Sequence, residues 1–351
     1  MTTRSTLARL LVLPITVVAL SLTLSARSGG SRWTLPGGRQ VPHTTNHPAT
    51  NSVTGEAEGP STCAALDGFQ ALPGGRRMLV TAASTRALRP AVIMLHGYTA
   101  TPAGEEAVSG WTSLMARTDV LVAYPQGSPT PYGGYGWTTG AARFATTGTN
   151  DVADIDNALT ALVTEDCVNP KEVMIAGESN GSGLGLILGC DHATARRVRL
   201  FALAIPAVDR NVLARCRHAL PFPLLVIASL HDATVSYDGT YPPGVAPFSA
   251  PLTWFEQVAT TVDRCVGLHA AGVPDGWRYS YRRCAEPATF YVALDGHHTW
   301  PGGPQGAGGL DPGRFPAAKL AWCTSGLTSS PAPVACRPLL AAYGPRGALA
   351  R

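Results

Sequence analysis

Short apolar runs alternate with longer stretches of helical spacing along most of this chain, and that alternation narrows the available folds more than any other feature. Ala91-Val92-Ile93-Met94-Leu95, Val120-Leu121-Val122-Ala123-Tyr124, Val173-Met174-Ile175-Ala176, residues 200–205, Leu224-Leu225-Val226-Ile227-Ala228 and residues 289–294 each read as a buried strand. Helical spacing runs over 105–116, 152–163 and 253–262, opens again at Leu184, and returns at 315–322. Strands taking turns with helices predict an α/β fold, a mostly parallel central sheet with helices on both faces. A further strand is expected over 76–81, after the turn Pro73-Gly74-Gly75. No internal repeat and no second folded domain is evident.

The first sixty residues read differently. Arg4 and Arg9 precede Leu10 to Leu24, which holds no charge, and Ser25 and Ala26 follow. A membrane span needs about 20 apolar residues, so this shorter segment is expected to be a signal peptide over 1–26, with an uncleaved anchor as the alternative. Residues 27–61, rich in Gly, Ser, Thr, Pro and Asn, are expected to be a disordered linker or prosegment. The folded domain is then 62–345.

The net charge is +4 over 351 residues, and two of those charges leave with the signal segment. This gives no electrostatic footprint for nucleic acid, and no stable membrane association is expected once the signal is cleaved. Eight cysteines in an exported chain imply disulfides. Proximity in the inferred fold suggests Cys265–Cys284, Cys323–Cys336, Cys190–Cys216 and Cys63–Cys167. No C-x-x-C occurs, so neither a metal site nor a redox motif is expected, and no cofactor.

The pentapeptide Gly177-Glu178-Ser179-Asn180-Gly181 sits between an expected strand and an expected helix. A serine at the apex of such a turn is exposed above the sheet, and side chains two positions away would crowd it, which glycine avoids. Hydrolysis of an ester or amide by serine needs a hydroxyl, an imidazole that takes and returns its proton, and a carboxylate that orients the imidazole. Asp232 and His298 follow Ser179 in that order, each just past the end of an inferred strand, where parallel sheets gather their reactive groups. Asp238 is the other acid candidate, and His297 competes with His298 as base. Asp295 lies too near the histidine in sequence to orient it. Oxyanion donors are expected from the N–H of Asn180 and from the turn after His96-Gly97, at Tyr98 or Thr99. His96 itself reads as a structural residue beneath that turn. The loop over 126–150 carries many glycines and aromatics; Trp137 in it and Trp300 are candidate substrate-binding residues, with Trp300 alternatively packing the loop that holds His298.

Leu95-His96-Gly97, the elbow pentapeptide, His231-Asp232 and Gly296-His297-His298-Thr299-Trp300-Pro301-Gly302-Gly303 resemble the secreted polyhydroxybutyrate depolymerase / feruloyl esterase group of α/β-hydrolases. Gly74-Gly75-Arg76-Arg77 and Asp151-Val152-Ala153-Asp154-Ile155 are similar as well. The resemblance covers about residues 70–323 and implies Ser179 as nucleophile, Asp232 as acid and His298 as base. The chain departs from the group at Asp295, Glu178 and Tyr98, positions expected at the site mouth. The expected protein is a secreted serine esterase acting on a small or polymeric ester. A non-catalytic exported binding protein and a serine peptidase are the alternatives.

Overall fold

The computed structural model describes residues 67–82, 88–147, 150–327 and 336–344. The expected signal peptide, the linker and Cys63 lie outside the described residues.

Twelve strands are present among them: β1 (Gly68–Ala71), β2 (Arg77–Thr81), β3 (Arg89–Leu95), β4 (Leu121–Pro125), β5 (Ser128–Pro129), β6 (Tyr135–Gly136), β7 (Val168–Glu178), β8 (Leu200–Ala204), β9 (Leu224–Ser229), β10 (Val266–Val273), β11 (Gly276–Arg283) and β12 (Ala288–Ala293). All but β5 and β6, which pair with each other, form one sheet in the order β1-β2-β4-β3-β7-β8-β9-β12-β11-β10. From β4 across to β12 every pairing is parallel. The outer pairings, β1 with β2, β2 with β4, β12 with β11 and β11 with β10, are antiparallel.

Both faces of the parallel strands are buried, which is why their sequences read as unbroken apolar runs. Along β3, Ala91, Ile93 and Leu95 enter one core while Val92 and Met94 enter the other. Along β9, Leu224, Val226 and Ala228 take the first side, and Leu225 and Ile227 the second. The first core is covered by α3 (Asp151–Thr164), α4 (Asn180–Cys190) and α7 (Pro251–Thr261). The second is covered by α2 (Trp111–Thr118), α8 (Ala317–Ser325) and α9 (Cys336–Tyr343). Two short helices, α5 (His192–Ala195) and α6 (Arg210–Ala214), follow α4 and β8.

The single helix expected over 105–116 is two, α1 (Pro102–Ser109) and α2, broken at Gly110 with φ 73°. Glycine adopts this left-handed conformation without strain and so ends α1, and the loop that follows His298 lies against it at Pro304 and Gly303. Thr101 starts α1 by accepting from the Gly104 N–H, with proline at the first helical turn. Asn150 caps α3 in the same way, with Asp151 and Asp154 in its first turn, where the free N–H groups favour negative charge.

Disulfides join Cys190–Cys216, Cys265–Cys284 and Cys323–Cys336, as the sequence reading expected. The Cys63–Cys167 pairing lies outside the described residues. Among the described residues, no helix is long and apolar enough to cross a membrane.

Candidate active site

The chain runs from β3 outward to β4, then returns to the other side of β3 with β7. Such a reversal opens a crevice at the carboxyl ends of the strands, where open α/β sheets hold ligands. The turn after β3 and the elbow after β7 meet at that crevice. Asp232 follows β9, and His298 follows β12.

Ser179 adopts φ 52° and ψ −112°, a conformation few non-glycine residues occupy. Backbone on both sides holds it there. Its N–H donates to Ala204 O (3.1 Å), and its C=O accepts from Ala207 N (3.1 Å) and Gly183 N (3.1 Å). The flanking glycines are required by contact. A Cβ on Gly177 would come within 2.7 Å of the Gly181 backbone, and one on Gly181 within 2.2 Å of Leu95 O. The crowding that glycine relieves has a specific cause: the elbow is pressed against the end of β3.

His298 Nε2 lies 2.8 Å from Ser179 Oγ, and His298 Nδ1 lies 2.7 Å from Asp232 Oδ2. The other Asp232 oxygen accepts from the N–H groups of Thr234 and Val235, both at 2.8 Å. Asp232 is buried and fully hydrogen-bonded, so its position against the imidazole is fixed. A neutral imidazole hydrogen-bonded between a hydroxyl and a carboxylate can accept the hydroxyl proton, and the carboxylate stabilises the charge the ring gains.

The competing candidates are elsewhere. His297 is exposed, with Nδ1 3.4 Å from His231 O. Asp238 bonds Ser236 Oγ and the Thr240 N–H on the surface, and Asp295 pairs with Arg314.

The turn Gly97 to Ala100 closes with Ala100 N donating to Gly97 O (3.3 Å) and Thr99 at φ 65°. It lies over the elbow, since the place of a Gly97 side chain is 3.7 Å from Ser179 Cβ. Asn180, at the first position of α4, has no intrahelical acceptor for its N–H. Beneath the turn, His96 is buried, with Nδ1 2.8 Å from Gly97 O and Nε2 accepting from Gly127 N at 3.1 Å. Burial pushes its imidazole down to about 4, so it is neutral and ties the turn to the following loop.

Two expectations need correction. Trp137 and Trp300 were expected at the mouth, but each is 1% exposed and offers no surface to a ligand. Trp137 is a brace. Its Nε1–H donates to His96 O (2.8 Å), its ring packs on His96, and its backbone N–H and C=O bond the Asn180 side chain (2.6 and 3.2 Å). Trp300 packs against Trp111 in the second core, behind the His298 loop. The physical reason is the same for both: the loops run inward at these positions, and the strands beneath offer apolar cover.

A cluster of other aromatics joins the turn after β3 to the first core, with Tyr98, Phe144 and Tyr241 half-buried and Phe248 buried beneath them. Tyr98 stacks on Phe144 (4.7 Å between centroids), and Phe144 on Phe248 (5.5 Å). Arg143 lies over Phe248 and Tyr241 and bonds Thr234 O, joining this cluster to the Asp232 loop. Phe144 belongs to the aromatic loop over 126–150, while Phe248 and Tyr241 lie in a segment whose sequence has no periodicity to single them out. Glu105 on α1, which carries no motif signal, is buried near Glu178.

Sheet order, the reversal at β3 and the strand–serine–helix elbow together define an α/β-hydrolase fold. No family model matches the chain. A curated relative, feruloyl esterase B from Piromyces equi, is 29% identical over 153 residues, covering 43% of this chain and 27% of that protein. The chain thus matches about a quarter of the length of a relative of the kind its motifs resemble. It is also similar to the solved acetyl xylan esterase from Aspergillus awamori, at 12% identity and a TM-score of 0.48 over 65% of this chain and 91% of that one. An α/β hydrolase from a Medee basin deep-sea metagenome library is similar at 15% identity and a TM-score of 0.40, over 66% and 84%.

Proposed function

We propose that this chain is a secreted serine esterase that hydrolyses carboxylic esters through Ser179, His298 and Asp232. The observation that carries the reading is the unbroken hydrogen-bonded series from Ser179 Oγ through the His298 ring to Asp232. In this reading His298 Nε2 takes the Ser179 proton as Oγ attacks the ester carbonyl. The oxygen of the tetrahedral intermediate is met by the N–H groups of Asn180 and Tyr98. Nε2 then gives the proton to the departing alcohol, leaving an acyl-enzyme. Water attacks this ester, His298 takes its proton, and the acid is released as Ser179 recovers its hydrogen.

Hydrolysis of esters is favoured by the relative, a feruloyl esterase. The half-buried rings of Tyr98, Phe144 and Tyr241, backed by the buried Phe248, support an uncharged acyl or aryl group, of feruloyl, acetyl or hydroxyalkanoate type. Arg143 is already occupied by aromatic faces and a carbonyl, so it is no free anchor for a charged substrate. Export is supported by the disulfides and by the apolar segment after Arg9.

Turnover of nitrophenyl acetate, a feruloyl ester, acetylated xylan and polyhydroxybutyrate, each against the amide of the same acid where one exists, tests the reading. Ser179→Ala and His298→Ala should each lower ester turnover by several orders of magnitude, and the double variant should lose little more, because the groups act as a unit. Equal turnover of amide and ester would replace the esterase by a peptidase. Full activity in His298→Ala would remove the triad.

A further inference from the structure

The two edges of the large sheet are unlike. β1 is four residues long, and the Arg77 guanidinium lies over its exposed Phe69. β10 is eight residues long, Val266 to Val273, and holds no proline and no Asp, Glu, Lys or Arg. It is the last strand of the sheet, with six residues exposed and none buried. Monomeric proteins blunt an edge of this length with charge, proline or a covering element, because its free N–H and C=O groups otherwise template another strand.

The hairpin register says which groups are free. Val273 and Gly276 close a two-residue turn, so the odd-numbered residues of β10 exchange hydrogen bonds with β11. Val266, Leu268, Ala270 and Gly272 then direct their N–H and C=O groups outward. Their side chains share the face that carries Trp277, Tyr279 and Tyr281, the residues opposite Gly272, Ala270 and Leu268. That face is apolar and open: Val266 is 49% exposed, Leu268 45% and Trp277 46%. Val266 and Leu268 also line a groove of about 550 Å³ against Glu256 and Thr260 of α7. Beside Trp277, a Cβ on Gly272 would meet no atom within 4 Å, so that place is empty.

We propose that β10 pairs antiparallel with β10 of a second copy of this chain, about a two-fold axis at His269, and joins the two sheets into one. In this register all four outward residues find partners, while a shift of two residues either way leaves one of them unpaired. The strand is complementary to itself here. Val266 faces Gly272 of the partner subunit, and Leu268 faces Ala270 of the partner subunit, each larger side chain against a smaller one. By the same symmetry a valine enters the empty place beside Trp277, and the added strand closes the open side of the groove along α7. His269 meets its own copy on the opposite face. Charge selects a second copy as well. The antiparallel arrangement lays the open end of one hairpin, with exposed Arg264, Arg282 and Arg283, beside the turn of the other, where Asp275 and Asp295 share the single guanidinium of Arg314. A two-fold contact uses the same patch on both copies, so the assembly closes at two. Ser179, Asp232 and His298 take no part in it, and the pairing is independent of the esterase reading.

Sedimentation equilibrium and light scattering on the purified protein, over a range of micromolar concentrations, test this. Wild type should reach twice the monomer mass and rise no further. His269→Lys and His269→Glu each set like charges directly opposite one another at the axis, and each should raise the dissociation constant about fivefold or more. An equal mixture of the two variants should bind as tightly as wild type or tighter, because lysine then faces glutamate. Both variants should keep the wild-type thermal unfolding and ester turnover, since His269 is exposed. A wild type that stays monomeric overturns the proposal, and so does a mass that keeps rising with concentration. A dimer that neither variant weakens places the interface elsewhere and overturns it too. Variants that weaken the dimer but do not recover on mixing overturn the two-fold at His269.

Discussion

Ser179 shows how far a single residue depends on its neighbours. Its left-handed backbone costs on the order of 1–3 kcal/mol, and it persists because β3, β8 and α4 all bond or press against it. His96 is the neutral strut beneath. In the folded chain its imidazole titrates at about 4 instead of 6.5, so between those values the folded state binds fewer protons than the unfolded state. Stability contributed by neutral burial is present above pH 6.5 and is lost as pH falls toward 4, by roughly 3 kcal/mol. Glu178 and Asp263, both pushed up to about 7 by burial, act with the opposite sign. Comparison with His96→Asn isolates the histidine: the stability gap between wild type and variant, from urea unfolding at pH 4 and pH 7, should narrow by that amount at pH 4. A gap independent of pH would show that His96 is not the buried neutral group described. Trp137→Phe should lower kcat several-fold with little change in KM, since the indole braces His96 and Asn180 and touches no substrate. A rise in KM alone, in ester kinetics, would return Trp137 to the binding surface.

The elements that position the site are those whose sequences announce themselves. The parallel strands carry both-face burial in unbroken apolar runs, and the elbow carries its glycines, so fold class and the order Ser179, Asp232, His298 were legible. What was not legible has physical reasons. The β10–β11 hairpin was missed because β10 is exposed along nearly its whole length and carries no buried face to set a period. The break at Gly110 was missed because apolar spacing continues across it and the glycine, which ends α1 at φ 73°, was read as interior to the helix. The two tryptophans were misplaced because aromatic composition does not say which way a loop faces. One element depends on polar bonding that sequence hardly reveals. Arg76 bonds Asp154 (2.9 Å), Asp151 (3.4 Å) and Ser128, while Asp151 also accepts from the Thr138 N–H, so a single guanidinium ties the aromatic loop to the start of α3. Arg76→Ala should destabilise the fold by about 2 kcal/mol and raise KM for aryl esters more than for acetate, read from thermal unfolding and from kinetics on both. Unchanged KM for both esters would mean the loop is held without it.

At the scale of the whole molecule, a parallel sheet brings the ends of β3, β7, β9 and β12 to one crevice and delivers residues 119 positions apart to hydrogen-bond distance. Disulfides secure the periphery: Cys323–Cys336 fastens α9 to α8, and Cys265–Cys284 clamps the open end of the β10–β11 hairpin. Such bonds persist in oxidising compartments, in keeping with the export proposed above. The central claim is that this architecture makes Ser179 a nucleophile. A fluorophosphonate probe followed by peptide mapping tests it directly. One adduct per chain is expected, on Ser179, absent from Ser179→Ala and strongly slowed in His298→Ala while His297→Ala labels at the wild-type rate. No adduct on a folded wild-type chain, or an adduct that persists in Ser179→Ala, would contradict it.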